Sequence, residues 1–170
     1  MQATIYKKGN ERMDKKQRQK LIRDSLIYPR QANQQYTLSI RQLDCGSCNA
    51  CELELKALTN PIYDIEQYGI HFATSPRHAD ILAMTGPYTR GLDEAARITL
   101  AAMPTQRILA VGDCAKNGGV FQNSYAVIDP PEEIKQAVIQ HVPGCPPPPE
   151  VLLKTLLELA EKISNEIWAH

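Results

Sequence analysis

Ile81-Leu-Ala-Met-Thr85 and Arg107-Ile-Leu-Ala-Val-Gly112, with the Ala- and Leu-rich stretch 91–103 between them, decide the fold. Each run is short, apolar without alternation and closed by a glycine. That is how a strand reads when a sheet is covered on both faces. The stretch between them has helical periodicity. Strands alternating with helices in this way predict an α/β fold with a mainly parallel sheet and helices on both faces.

The same alternation extends outward in both directions. Tyr36-Thr-Leu-Ser-Ile-Arg-Gln-Leu43 alternates apolar and polar residues, as a half-buried strand does, and Ile70-His-Phe-Ala-Thr74 is a second strand candidate. Glu52-Leu-Glu-Leu-Lys-Ala-Leu58 predicts a short helix stopped near Asn60-Pro61, residues 65–69 a connector, and Ser75-Pro76-Arg77-His78 a turn. Cys114-Ala-Lys-Asn-Gly118-Gly119 reads as a glycine-rich loop, 134–138 as a short helix and Gln140-His-Val142 as a last strand. The proline run 143–149 suits neither helix nor central strand. Residues 150–168 form an amphipathic pattern with Leu152, Leu153, Leu156, Leu157, Ala160 and Ile163 on one side.

Composition narrows the class. The 170 residues are 43% hydrophobic, enough for one domain with a real core and too many for a disordered chain. A net charge of zero gives no reason to expect a nucleic-acid partner. No apolar run approaches the roughly 20 residues of a membrane helix, and the polar N-terminus lacks the apolar stretch of a secretory signal. A cytoplasmic protein is the expectation, and there thiols stay reduced, so cysteines are read as metal ligands rather than disulfides. Residues 1–30 carry nine Lys/Arg against Glu11, Asp14 and Asp24, a net of +6, which leaves −6 for the rest. This basic arm is read either as a solvated tail or as a segment docking on a partner subunit or an anionic membrane surface. Leu21, Ile22, Leu26 and Ile27 give it one short apolar stripe, ended by Tyr28-Pro29.

The chain has five cysteines: Cys45-Gly-Ser-Cys48-Asn-Ala-Cys51, then Cys114 and Cys145 standing alone. Thiolate is a soft ligand that selects iron–sulfur clusters, zinc or Cu(I), and a [4Fe–4S] cube takes four thiolates. The triplet follows the first predicted strand, Cys114 the fourth and Cys145 the last. Open α/β sheets bind ligands in the crevice outside the carboxyl ends of their strands, so the three groups should converge on one edge. Ordinary buried cysteines, structural zinc and a redox dithiol are the other readings of these thiols. A bacterial ferredoxin run is excluded, because no cysteine lies three residues after Cys51. Nor is there a phosphate-cradling motif or a clear nucleophile–base pair. Pro146 to Pro149 would hold Cys145 on a stiff, extended segment.

Five motifs, in order, carry a resemblance: Cys48-Asn-Ala-Cys51-Glu-Leu-Glu54, Ser75-Pro-Arg-His-Ala-Asp80, Thr85-Gly-Pro-Tyr-Thr-Arg90, Gly112-Asp-Cys-Ala-Lys-Asn-Gly-Gly119 and Pro143-Gly-Cys-Pro-Pro-Pro-Pro-Glu150. From about residue 36 to 160 the chain resembles the small electron-transfer subunit of energy-converting, membrane-bound [NiFe] hydrogenases of the formate hydrogenlyase type. The complex I subunit that carries the terminal cluster before quinone is related. The resemblance implies a flavodoxin-like iron–sulfur domain at 36–170, preceded by the arm at 1–35. It implies one [4Fe–4S] cluster held by Cys48, Cys51, Cys114 and Cys145. Cys45 is the spare thiol or the alternative ligand, since Cys45/Cys48 has the same spacing. Complex I relatives have two adjacent cysteines at the first position. The Cys-x-x-Cys here is the hydrogenase pattern. Glu52, Glu54, Arg77, His78 and Arg90 are implied as residues around the cluster or at a subunit interface. The implied partners are a [NiFe] large subunit, a ferredoxin-like iron–sulfur subunit and membrane subunits that would hold the chain at the inner face of the cell membrane. No complete active site is expected on the chain itself.

Overall fold

Residues 37–168 are described in the computed structural model; the basic arm lies outside them. The predicted alternation is realised as β1 (Leu38–Asp44), α1 (Ala50–Ala57), β2 (Ile70–Phe72), β3 (Ile81–Thr85), α2 (Asp93–Ala101), β4 (Ile108–Val111), α3 (Asp113–Asn117), α4 (Glu132–Ala137), β5 (Val138–Val142) and α5 (Pro149–Trp168). Single 3-10 turns lie at Ile65–Tyr68, Pro76–His78 and Gly119–Phe121.

The sheet runs β2-β1-β3-β4-β5 and every neighbouring pair is parallel. This is the flavodoxin-like order, with its topological switch between β1 and β3. The register places Asp44 beside Thr85, Thr85 beside Val111 and Val111 beside Val142. Four strands therefore end in one row, and the segments that leave this row carry all five cysteines.

Successive side chains of a strand point to opposite faces. On one face Leu82 and Met84 of β3 and Ile108 of β4 pack with Ala96 and Leu100 of α2 and Ile134 and Ala137 of α4. The helices α1 and α5 pack against each other and bury Leu55, Leu152, Leu156 and Ile163 on the other face. All five residues of β3 are buried, as the apolar run predicted for a strand covered on both sides.

Three local expectations are corrected. The glycine-rich loop at 114–119 is instead one helical turn, α3, joined to a 3-10 turn. Cys114-Ala-Lys-Asn is compatible with helix, and Gly118 ends it at φ +85°, the usual role of glycine after a helix. Helix α1 begins at Ala50, so Cys51 belongs to the helix and not to the loop before it. Pro149 is the first residue of α5, where a missing N–H costs nothing because that group would have no helical partner.

Candidate metal centre

The segment after β1 is shaped by Asp44, whose Oδ1 accepts from Gly46 N (2.7 Å) and Ser47 N (2.6 Å). This turn sends Cys45 inward. Its N–H donates to Thr85 O (3.0 Å), its carbonyl accepts from Thr89 Oγ1 (2.7 Å), and its side chain joins the core with Met84, Tyr88 and Leu100. Cys45 is wholly buried. Burial, and then the Asp44 carboxylate, push its thiol up to about 12.

The other four thiols come together. Burial pushes the Cys51 thiol up to about 12, helped by Glu52 and then by Cys114, Cys48 and Cys145. The Cys114 thiol is also raised, mainly by burial. A backbone hydrogen bond from Val120 opposes this, while Cys145 and Cys48 add to it. Cys51 and Cys114 are buried, whereas Cys48 and Cys145 are exposed. No second cysteine acts on Cys45.

The backbone closes in on this group. Gly112 has φ +85°, and a Cβ there would lie 2.7 Å from Cys51 Sγ. Gly119 has φ +51°, and a Cβ there would lie 2.7 Å from Cys114 Sγ. Only glycine combines those backbone angles with that clearance. Four soft donors, with peptide backbone packed against the Cys51 and Cys114 sulfurs, fit an iron–sulfur core. Cys51 and Cys114 resist ionising, mainly through burial, and a bound cationic core would remove that penalty. Among the described residues, no three His, Cys, Asp or Glu side chains are drawn in closely enough to hold a single metal ion.

The remaining candidates separate. Glu52 belongs to the site: it accepts from Ser47 Oγ (2.7 Å) and from the buried Thr85 Oγ1, and its charge acts on Cys51. Glu54 instead acts on Tyr63, whose hydroxyl donates to Glu150 Oε1 (2.5 Å). Arg77 and His78 are exposed on the turn that leads into the amino end of β3, whereas the thiols follow carboxyl ends. Arg90 is exposed, with its N–H on Ala126 O (2.9 Å). None of these three side chains acts on Cys51 or Cys114. Sequence reading missed Thr85 and Asp113. Thr85 is a polar residue inside an otherwise apolar strand, and Asp113 directly precedes a cysteine.

A parallel flavodoxin-like sheet with four thiols gathered at its carboxyl edge defines a class: an α/β domain built to present a cysteine-lined site. Residues 48–159 match the family described as NADH ubiquinone oxidoreductase, 20 Kd subunit, and the chain belongs to that family. Over 115 residues it is 38% identical to formate hydrogenlyase subunit 7 of Escherichia coli K12, covering 67% of this chain and 45% of that one. The chain thus spans less than half of that relative's length. It is also 38% identical, over 126 residues, to a probable membrane-bound hydrogenase subunit of Pyrococcus furiosus, covering 74% and 75% of the two chains. Among solved structures it resembles a chain of an archaeal membrane-bound sulfane sulfur reductase (TM-score 0.60, 30% identity, 75% and 72% covered). An NAD+-reducing [NiFe]-hydrogenase chain shares the fold at 19% identity (TM-score 0.52, 71% and 91% covered).

Proposed function

We propose that this chain is the electron-relay subunit of a membrane-bound hydrogenase complex, holding one [4Fe–4S] cluster on Cys48, Cys51, Cys114 and Cys145. The observation that carries the proposal is the gathering of these four thiols, with Cys45 turned away into the core. A single zinc ion draws every thiolate in to about 2.3 Å. A cube takes one thiolate on each iron, which matches four thiols supplied by three separate segments.

When bound, the cluster would store and release single electrons between a ferredoxin-like subunit and the [NiFe] site of a large subunit. The chain's own part is to orient and to shield. Helix α1 and the turn of α3 hold Cys51 and Cys114 away from water, and Val120 N–H donates to the Cys114 sulfur. Leu53, Val120 and Tyr125 are exposed at 58%, 77% and 93%. Val120, next to the Gly119 that abuts the Cys114 sulfur, suits burial against the large subunit. Arg77, His78 and Arg90 belong in this reading to subunit contacts rather than to the cluster's surroundings. No helix among the described residues is long and apolar enough to cross a membrane. Attachment to the membrane would therefore go through partner subunits, with the basic arm as a further contact.

The 30% identity to a sulfane sulfur reductase chain favours a second reading, the same relay in a complex I-like assembly that is not a hydrogenase. Anaerobic purification of the complex decides between them. Iron and sulfide near four each per chain, a reduced-cluster paramagnetic signal and a co-purifying nickel subunit support the first reading. The same cluster with a nickel-free large subunit supports the second. Zinc without iron would overturn both and leave a zinc-stabilised interaction module.

A further inference from the structure

The two single thiols come from separate segments, and four hydrogen bonds tie those segments together. Gly112 N–H donates to Val142 O (2.8 Å) and Asp113 N–H to Gly144 O (2.9 Å). Gly144 N–H donates back to Asp113 Oδ1 (2.9 Å). His141 Nε2 lies 3.0 Å from the Gly112 carbonyl, which only accepts, so this nitrogen carries the proton. Two of the four contacts are backbone to backbone, and a third sets the His141 ring on a carbonyl. The bond from Gly144 N–H to Asp113 is different. It depends on one side chain, which immediately precedes Cys114 and grips the residue immediately before Cys145. Asp113 and Gly144 thus form a closed reciprocal pair, backbone to backbone and backbone to carboxylate.

We propose that Asp113 is a positioning residue that sets the spacing of Cys114 and Cys145. Its consequence for a cluster rests on the iron–sulfur reading, but the geometry belongs to the chain alone. The carboxylate has two separable effects. Its oxygen accepts from Gly144 N–H, which Asn can imitate and Ala cannot. Its negative charge beside the site favours the oxidised cluster, and Asn removes that charge while keeping the acceptor.

The test compares the full chain with D113N and D113A in two states. In the metal-free chain, with Cys45, Cys48 and Cys51 replaced by Ala, the rate of Cys114–Cys145 disulfide formation with oxidised glutathione reports the spacing. D113N should stay within about twofold of Asp113, and D113A should slow at least fivefold through lost effective concentration. Equal rates in all three overturn the proposal, whether or not the chain holds iron. In the iron-loaded chain, anaerobic release to a chelator should run at least fivefold faster in D113A. D113N should release iron at nearly the original rate while its midpoint potential moves upward. Release from D113A at the original rate, or D113N failing as D113A does, overturns the proposal. If D113A does not fold, D113E, with its oxygen displaced by one methylene, should slow disulfide formation, and an unchanged rate sinks the idea. An unsubstituted chain that takes up no iron refutes the relay reading, and the disulfide comparison then decides this one by itself.

Discussion

Gly112 stands directly behind Cys51: a Cβ on its backbone would meet that sulfur at 2.7 Å. The first residue after β4 and a cysteine of α1, 61 positions earlier in the sequence, are thus in van der Waals contact through the absence of a side chain. Gly112→Ala should cost about 1–3 kcal/mol from the backbone conformation alone, φ +85° with ψ 161°, with the clash added. It should lower iron content at least severalfold while the far-ultraviolet circular dichroism is kept. Full iron loading in this variant would show that the contact is not part of the site.

Cys45 and its neighbours in the triplet should respond differently to the same substitution. Cys45→Ser buries a hydroxyl in an apolar cluster and should destabilise the chain by about 1–3 kcal/mol, yet leave the reduced-cluster signal intact. Cys48→Ser, Cys51→Ser, Cys114→Ser and Cys145→Ser should each abolish or alter that signal. The ligand assignment is falsified if Cys45→Ala removes the signal and Cys51→Ser preserves it.

Thr85 is fully buried, and its hydroxyl donates to Glu52, the residue next to Cys51. Thr85→Val keeps the shape and removes the donor, leaving a part-buried carboxylate oxygen short of one partner. Denaturant unfolding should show a loss of about 1–3 kcal/mol. Glu52→Gln, which leaves an acceptor oxygen for Thr85, should lose less. The reverse order would argue that the carboxylate charge, and not the hydrogen bond, matters there.

Tyr63 fastens the segment after α1 to Glu150, in the first turn of α5 just beyond the proline run. Burial, then the hydrogen bond and charge of Glu150, push its hydroxyl up to about 12. A folded-state value above the unfolded value of about 10 means stability that is whole below pH 10 and lost as pH climbs through 12. Tyr63→Phe should therefore cost about 1 kcal/mol near pH 8, and the gap to the unsubstituted chain should shrink between pH 10 and 12. A gap that is constant with pH would point to packing alone.

Local periodicity was the legible part of this chain. Residues 81–85 were read as a strand with the bounds the structure gives, because an apolar run closed by Asp80 and Gly86 has little else to be. The strand at 138–142 was read short, since it follows α4 with no intervening turn to mark its start. The helical turn of α3 was hidden by Gly118 and Gly119, which suggest a loop and in fact terminate a helix. Convergence of the cysteine groups on one edge could be argued from strand ends. The inward turn of Cys45 could not, because it depends on Thr85 and Thr89, at least 40 residues away. The role of Asp113 is hidden in the sequence for the same reason, as its partner Gly144 is 31 positions downstream.

Cys51 and Cys114 face the protein interior, while Cys48 and Cys145 face solvent. Chemical damage therefore has a direction. Alkylating reagents and peroxides meet the two outer thiols first, and the inner pair reacts only after the protein opens. A chain separated from whatever covers that edge should age from the outside inward. Its first lesions should fall on Cys48 and Cys145, and keeping the outer rim covered or reduced should preserve the whole site.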